Sequence, residues 1–269
     1  MRVKDIEALL YQRFPAHQAE GWDHIGLSVG DPCAKVTGIA CALDPLPQTI
    51  KDAKDQGCNV LVTHHPAYLD APRLITPEAS TSSLAAQSIW CAVEHQVSLI
   101  AMHTNLDRSS AALTLPSQLT GFPFMGRLQA PDGYGCILDA TGFTLAQAAE
   151  RFGHAYGAIP TIYGQADRPM AKVGFSSGSL GDIGLDAVAA GCDAVVSGEA
   201  SYHRILDLTA RGCEVILLGH DVSELPYAQL LALTLADLSL QVPVVTLSES
   251  ARWSLLLDSD AVGEAARVS

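Results

Sequence analysis

Histidine and carboxylate side chains follow three separate apolar runs of this chain, each at the point where the run stops. The runs and the residues after them are 59–63 with His64 and His65, 97–102 with His103 and Asp107, and 214–218 with His220 and Glu224. Short β-branched apolar runs are typical of buried strands in a parallel sheet. Parallel sheets present functional side chains at the carboxyl ends of their strands. One such ending is ordinary, whereas three together predict a single polynuclear metal site.

Five of these side chains form the candidate set of metal ligands: His64, His65, Asp107, His220 and Glu224. Neighbouring His64 and His65 point to opposite sides of an extended backbone, so each imidazole is expected to serve a different ion. His220 and Glu224 can face one cleft, and the Glu224 carboxylate can bridge two cations. A donor set of imidazoles and carboxylates favours Zn, Fe, Mn, Co or Ni over calcium and magnesium. Five ligands shared by two ions leave coordination positions open for water, as catalytic sites need.

Three further residues are candidate proton carriers: His103, Glu199 and His203. His103 is expected to orient Asp107 or its loop, with direct metal ligation as the alternative. Glu199 and His203, four residues apart, are predicted as an acid/base or orienting pair, and a helix-cap and surface role is equally favoured.

Other residues near these segments have competing explanations. His64 and His65 could simply hydrogen-bond the backbone at a strand end, although the other two strand endings make this less favourable. The loop 176–179 could cradle a phosphate through its backbone N–H groups or form a plain tight turn. Trp22 is predicted to pack in the core or at a subunit contact rather than to stack on a ligand.

Strand and helix patterns alternate along most of the chain, which predicts βαβ units and mostly parallel sheets. The segment 108–170 interrupts this alternation, and a hairpin is expected around 131–133. A helix is expected to begin near Ser223, which would cap it. We therefore predict an α/β fold of two interleaved lobes with the metal site at the carboxyl ends of the strands. The predicted lobes are 1–107 with 198–269, which carries the metal ligands, and 108–197.

Composition disfavours several classes of partner. Lys and Arg total 16 against 29 Asp and Glu, a formal charge of -13. Such a surface repels phosphate backbones, so bulk nucleic acid is not an expected partner, whereas a small nucleotide remains compatible because bound cations reverse the local charge. No run of about 18 uncharged apolar residues occurs, so no membrane span is expected. Residues 1–5 do not begin an apolar targeting segment, and we expect a cytoplasmic protein.

Five short motifs, taken in order along the chain, carry a resemblance to a known family. They are WDHIGL at 22–27, THHP at 63–66, HTNLD at 103–107, SGE at 197–199 and GHDVSE at 219–224. Together they resemble the NIF-three-like family of dinuclear-metal-centre proteins, often labelled type 2 GTP cyclohydrolase homologues. Two positions depart from the family pattern: His24 stands where Asn is usual, and Tyr202 stands where the first of two histidines is common.

The resemblance implies interleaved α/β lobes, a toroidal homohexamer built as a trimer of dimers, and metal sites that line an internal cavity. It also implies that His64, His65, Asp107, His220 and Glu224 hold two divalent transition-metal ions, with Glu224 bridging them. The expected activity is metal-dependent hydrolysis of a small nucleotide-like or heterocyclic substrate. The alternatives are a non-catalytic metal-binding scaffold or metallochaperone, and a regulatory protein-interaction module.

Overall fold

The computed structural model describes residues 1–78, 80–238 and 240–248. The helices are α1 (Val3–Arg13), α2 (Pro47–Asp55), α3 (Leu84–His95), α4 (Thr104–Asp107), α5 (Ser110–Thr120), α6 (Leu145–Tyr156), α7 (Ile183–Ala189), α8 (Tyr202–Ala210), α9 (His220–Glu224) and α10 (Pro226–Ala236). The strands are β1 (Gly26–Val29), β2 (Ile39–Ala42), β3 (Val60–Thr63), β4 (Ser98–Ala101), β5 (Phe124–Arg127), β6 (Cys136–Thr144), β7 (Thr161–Tyr163), β8 (Pro169–Phe175), β9 (Ala194–Ser197), β10 (Glu214–Leu217) and β11 (Val244–Thr246). The predicted α/β class is confirmed.

The first sheet has the strand order β1-β4-β3-β2-β11, and three of its four pairings are parallel. Its central strand β3 is buried along its whole length because helices cover both faces of the sheet. Val60 and Val62 pack into a cluster with side chains of α1 and α10. Leu61 points the other way and packs with Ile50 of α2 and Ala92 of α3. This double covering explains why Val60, Leu61 and Val62 are apolar on both faces of the strand.

The second sheet has the order β5-β6-β8-β9-β10-β7. Its centre, β8-β9-β10, is parallel, but the other three of its five pairings are antiparallel. The expectation of mostly parallel strands is therefore wrong for this sheet. One reason is the hairpin between β5 and β6, since so short a connection permits only antiparallel pairing. Val196 and Ile216 pack on the face covered by α6, and Val195 and Val215 pack on the face covered by α7 and α8.

Two local expectations differ from the structure. The segment expected to be irregular contains helix α5, whose Pro116 disguises the helical pattern; Ser109 caps this helix by accepting from Ala112 N at 3.2 Å. Ser223 does not cap a helix, because it lies inside α9 and the next helix begins at Pro226.

Sheet membership divides the chain differently from the predicted lobes. Strand β10 lies in the second sheet beside β9, whereas the prediction placed 198–269 with the first lobe. The division into two lobes stays a prediction; the lobes are 1–107 with 198–269, and 108–197. Among the described residues, no helix has both the length and the hydropathy that crossing a membrane requires.

Candidate metal centre

The candidate ligands meet where strand ends of the two sheets face each other. His64 and His65 follow β3 of the first sheet, whereas Glu224 lies in α9, which follows β10 of the second sheet. His65 Nε2 lies 3.0 Å from Glu224 Oε2, and His64 Nε2 lies 3.7 Å from Glu224 Oε1. Residues 160 positions apart in sequence are thus brought into contact by strands that end at the same place.

The two oxygens of Glu224 face different partners. Oε1 faces His64, whose Nε2 also lies 3.5 Å from Asp107 Oδ1. Oε2 faces His65 at 3.0 Å and His220 Nε2 at 3.3 Å. The five side chains predicted as ligands therefore form two groups of donor atoms that share one carboxylate.

Each of the four histidines in this cluster has its Nδ1 atom fixed by an oxygen. The pairs are His64 with the Met102 carbonyl at 3.1 Å, His65 with Asp44 at 2.7 Å, His103 with Asp23 at 2.9 Å and His220 with Glu199 at 3.0 Å. An imidazole that donates from Nδ1 presents the lone pair of Nε2 on its opposite side, which is how metal-binding histidines are usually held. Ring nitrogens of His64, His65 and His103 lie within 4.8 Å of one another, as do the donor atoms of His65, His220 and Glu224.

The buried polar atoms of the cluster that have no hydrogen-bond partner among the described residues include His64 Nε2 and Asp107 Oδ1. An unpaired buried polar atom is costly, so each needs a partner that the protein itself does not provide. His64 is completely buried. A transition-metal cation matches both the imidazole and the carboxylate donors, and the residues present therefore fit a metal.

The histidines of the cluster have pKa values that are strongly shifted by burial and by the carboxylates next to them. Burial lowers the pKa of His64 to about 4, so its imidazole is neutral at physiological pH. Burial opposes protonation of His65 too, but hydrogen bonds to Asp44 and Glu224 outweigh it and raise the pKa of His65 to about 10. The hydrogen bond to Glu224 likewise raises the pKa of His220 to about 9. A cation that binds here must displace the protons on His65 and His220.

The carboxylates respond in opposite directions. Burial alone would raise the pKa of Glu224, but the neighbouring imidazoles of His220, His64 and His65 hold it well below its usual value. Burial and the nearby Glu224 charge raise the pKa of Asp107 well above its usual value. The cluster without metal thus keeps one ionised carboxylate at its centre.

Small residues allow the second sheet to approach Glu224. Gly178 has φ +61°, and a Cβ at this position would collide with Glu224 Oε1. A Cβ on Gly198 would lie 2.7 Å from the His220 Cα and from Ser223 Oγ. Gly178 N donates to Ser223 Oγ at 2.8 Å, and Ser176 N donates to the Val196 carbonyl at 3.0 Å. Since these two N–H groups are engaged within the protein, the geometry favours the plain turn over the phosphate cradle for the loop 176–179.

Asp23 is a site residue that we missed by sequence reasoning. Its side chain is fully buried and accepts from His103 Nδ1, from Thr104 N at 3.0 Å and from Thr104 Oγ1 at 2.5 Å. These hydrogen bonds outweigh burial and lower its pKa far below the usual value. Asp44, which holds His65, was missed as well. Its signal was present, because Asp44 directly follows the apolar run that ends at Leu43.

Replacing Asp23 with alanine is expected to lower the free energy of unfolding of the metal-free protein by about 3 kcal/mol, because four donors, His103 Nδ1, Thr104 N, Thr104 Oγ1 and His24 N, lose a charged acceptor. Urea denaturation of the metal-free protein measures this change. The matched control is Asp70→Ala at an exposed position, which should change stability by less than about 0.5 kcal/mol. Equal effects of the two substitutions would show that the buried Asp23 network contributes little.

The predicted proton carriers lie in different surroundings. His103 is largely buried, with a side chain 15% exposed, and lines a cavity beside the cluster. Glu199 is exposed and accepts from His220, so the predicted pair with His203 is replaced by one with His220. His203 lies exposed in the first turn of α8, where its ring contacts Tyr202 at a centroid distance of 5.5 Å. Their catalytic roles stay predictions.

The cavity beside the cluster has a volume of about 750 Å³. It lies between the two sheets, and its walls include His103, Asp107, His220 and Glu224. Trp22 also lines this cavity and is 58% exposed, so it does not pack in the core, and its predicted alternative, a subunit contact, stays a prediction. The departure His24 lies nearby with its ring 5.0 Å from that of Tyr68.

Comparison with known proteins places this arrangement in a family. A "GTP cyclohydrolase 1 type 2 homolog" of Clostridium perfringens is 29% identical over 235 residues, covering 84% of this chain and 88% of that protein. A Staphylococcus aureus hypothetical protein has the same fold, with a TM-score of 0.86 at 20% identity over 95% of this chain and 99% of that one. A Bacillus cereus protein related to NIF3 superposes with a TM-score of 0.83 at 16% identity over 95% and 99% of the two chains. Residues 1–251 match the family described as Duf34/NIF3 (NGG1p interacting factor 3), and the chain belongs to that family.

Proposed function

We propose that this protein binds two divalent transition-metal ions and hydrolyses a small heterocyclic or nucleotide-like substrate. The observation that carries the proposal is the common orientation of four imidazoles, each anchored through Nδ1 while Nε2 faces the shared cluster. Orphaned His64 Nε2 and Asp107 Oδ1 support the same conclusion from a different direction.

The donor atoms divide between two ions around Glu224. His64, Asp107 and Glu224 Oε1 would hold the first ion. His65, His220 and Glu224 Oε2 would hold the second. Imidazole and carboxylate together suit Zn, Fe, Mn, Co or Ni.

When bound, such a pair of ions supplies Lewis acidity and lowers the pKa of water, which is the chemistry of hydrolysis near neutral pH. The chain's own residues would orient and transfer protons. Asp23 holds His103 Nδ1, which leaves His103 Nε2 available to accept a proton on the cavity side. Glu199 holds His220 in place and is therefore a positioning residue in this scheme.

The relatives named as GTP cyclohydrolase 1 type 2 homologues support ring hydrolysis as the type of reaction. A homohexamer built as a trimer of dimers, located in the cytoplasm, is part of the proposal through family resemblance. Light scattering of the purified full chain tests the oligomer, and a monomer would contradict it.

The catalytic proposal predicts that turnover can be lost by substitution while the metal content of the protein stays the same. Protein freed of metal by a chelator and reloaded with each of the five metals is screened for hydrolysis of nucleotides, nucleosides and cyclic amides. On any substrate found, His103→Ala should lower kcat by about 100-fold or more while two ions per chain remain bound. The matched control is exposed His154→Ala, which should leave both quantities unchanged. Absence of turnover with every metal would contradict the enzyme.

A metal carrier without turnover is the second candidate, and one observation favours it. The His220 side chain is 39% exposed, whereas His64 is completely buried, so the second group of donor atoms is open to solvent. An ion held by His65, His220 and Glu224 could therefore exchange while the other stays bound. Rapid transfer of one metal ion per chain to a chelator, without hydrolysis of any substrate, would favour the carrier.

A further inference from the structure

The cavity beside the metal centre differs from a phosphate-binding cavity in its charges. Among its described lining residues there is no lysine or arginine. Away from the metal cluster the lining includes two carboxylates, Glu20 and Asp182, and each is paired with an arginine that lies outside the lining. A phosphate group bound in the part of the cavity that lies away from the metal centre would lack the cationic partners that phosphates need.

The remaining polar groups of the lining are neutral. Ser177 Oγ lies 2.9 Å from the Tyr227 hydroxyl, and Tyr134 donates its hydroxyl to Glu20 at 3.0 Å. At the same wall, the N–H groups of Ser176 and Gly178 are engaged within the protein and are therefore not free to bind an anion. Apolar side chains such as Leu113 and Phe175 complete the walls. Such a lining suits an uncharged molecule with an apolar body and a few hydrogen-bonding groups.

Trp22 adds an aromatic surface that is held in place although it is exposed. The chain is anchored close to it, because the next residue, Asp23, is buried against Thr104, and Glu20 N, two residues before it, donates to Thr104 Oγ1 at 3.0 Å. The Trp22 ring lies 6.1 Å from the His103 ring in an edge-to-face arrangement. An indole fixed at the wall of a cavity, with most of its surface free, is suited to stack on a planar ring.

We propose that this cavity binds an uncharged planar heterocycle, such as a nucleobase, nucleoside or cyclic amide, stacked on Trp22, and that it discriminates against phosphorylated forms. The inference rests on the proposed function, and it narrows the substrate from nucleotide-like molecules to those without phosphate. The ring to be hydrolysed would lie on the free surface of Trp22, next to the metal centre.

Binding of defined probes tests this inference independently of turnover. Guanosine, adenosine, uridine, hydantoin and dihydrouracil are titrated calorimetrically into the metal-free full chain, beside GTP, ATP, UTP and tripolyphosphate. We expect at least one uncharged ring to bind, and to bind more tightly than its triphosphate. Trp22→Ala should weaken that binding by about tenfold or more, and Trp22→Phe by less.

The matched control is Trp90→Ala, which removes another partly exposed indole, on α3, and should leave binding unchanged. Thermal unfolding of each variant verifies that it is folded. Tighter binding of every triphosphate than of its nucleoside, no binding of any uncharged probe, or unchanged binding in Trp22→Ala would each overturn the inference. Failure of the proposed hydrolysis is a separate result, because it is measured on metal-loaded protein and leaves these affinities unaffected.

Discussion

Replacing Glu224 with alanine is expected to remove both metal ions from the protein. Its two carboxylate oxygens contact His64, His65 and His220, so Glu224 belongs to both groups of donor atoms. Loss of an orienting partner alone typically costs 10- to 100-fold in metal affinity. Loss of a shared ligand should therefore weaken each site by about 100-fold or more.

Elemental analysis after gel filtration, followed by calorimetric titration with Zn²⁺, measures the effect of Glu224→Ala. The matched control is Glu94→Ala, a glutamate with a 62% exposed side chain on α3, which should keep two ions per chain. Glu199→Ala should give an intermediate result. Glu199 positions His220, so its loss should weaken the binding of the one ion that His220 would hold. If Glu224→Ala still bound two ions tightly, the shared-carboxylate arrangement would be wrong.

Replacing Gly178 with alanine should disrupt metal binding without removing any ligand. The added Cβ would occupy the position of Glu224 Oε1, and the carboxylate would have to move away from His64. A displacement of about 1 Å at a metal ligand is enough to lose most of the affinity of a site with strict coordination distances. We expect the first ion, which depends on His64 and Asp107, to be lost and the second to be weakened.

Gly181 provides an internal control in the same loop region. Its φ is +49°, comparable with that of Gly178, but a Cβ there would meet nothing within 4 Å. Both alanine variants therefore carry a similar backbone strain of about 1 kcal/mol, and only Gly178→Ala adds the collision. Gly181→Ala should retain two ions by elemental analysis. Equal metal loss in the two variants would show that backbone strain, and not contact with Glu224, controls the site.

The strand ends that carry the candidate ligands could be predicted from sequence because their signal is local. Each combines a buried apolar run with polar residues directly after it, and β3, β4 and β10 lie where those patterns placed them. The α/β class follows from the same patterns. Predicting that His64 and Glu224 lie close together required one additional rule, namely that functional side chains collect at the carboxyl ends of strands.

The rest of the site depends on long-range packing, which local patterns do not contain. Asp23 reaches His103 across 80 residues, and nothing in the motif around Trp22 indicates that contact. Trp22 was expected in the core or at a subunit contact because large aromatic residues are usually buried, whereas in the structure it lies at the cavity wall. The hairpin expected around 131–133 joins β5 to β6, but the antiparallel pairings of β6 with β8 and of β7 with β10 were missed, because a βα alternation does not reveal the direction in which a strand pairs.

The candidate donor atoms follow strands of two different sheets. Bound metal would therefore affect the stability of the whole fold. An ion bound by both His65 and His220 would crosslink the first sheet to the second. Withdrawing it would leave the halves joined only by the interface between them and by the covalent chain. Metal supply in the cell would then govern how long such a molecule survives proteolysis as well as what it can do.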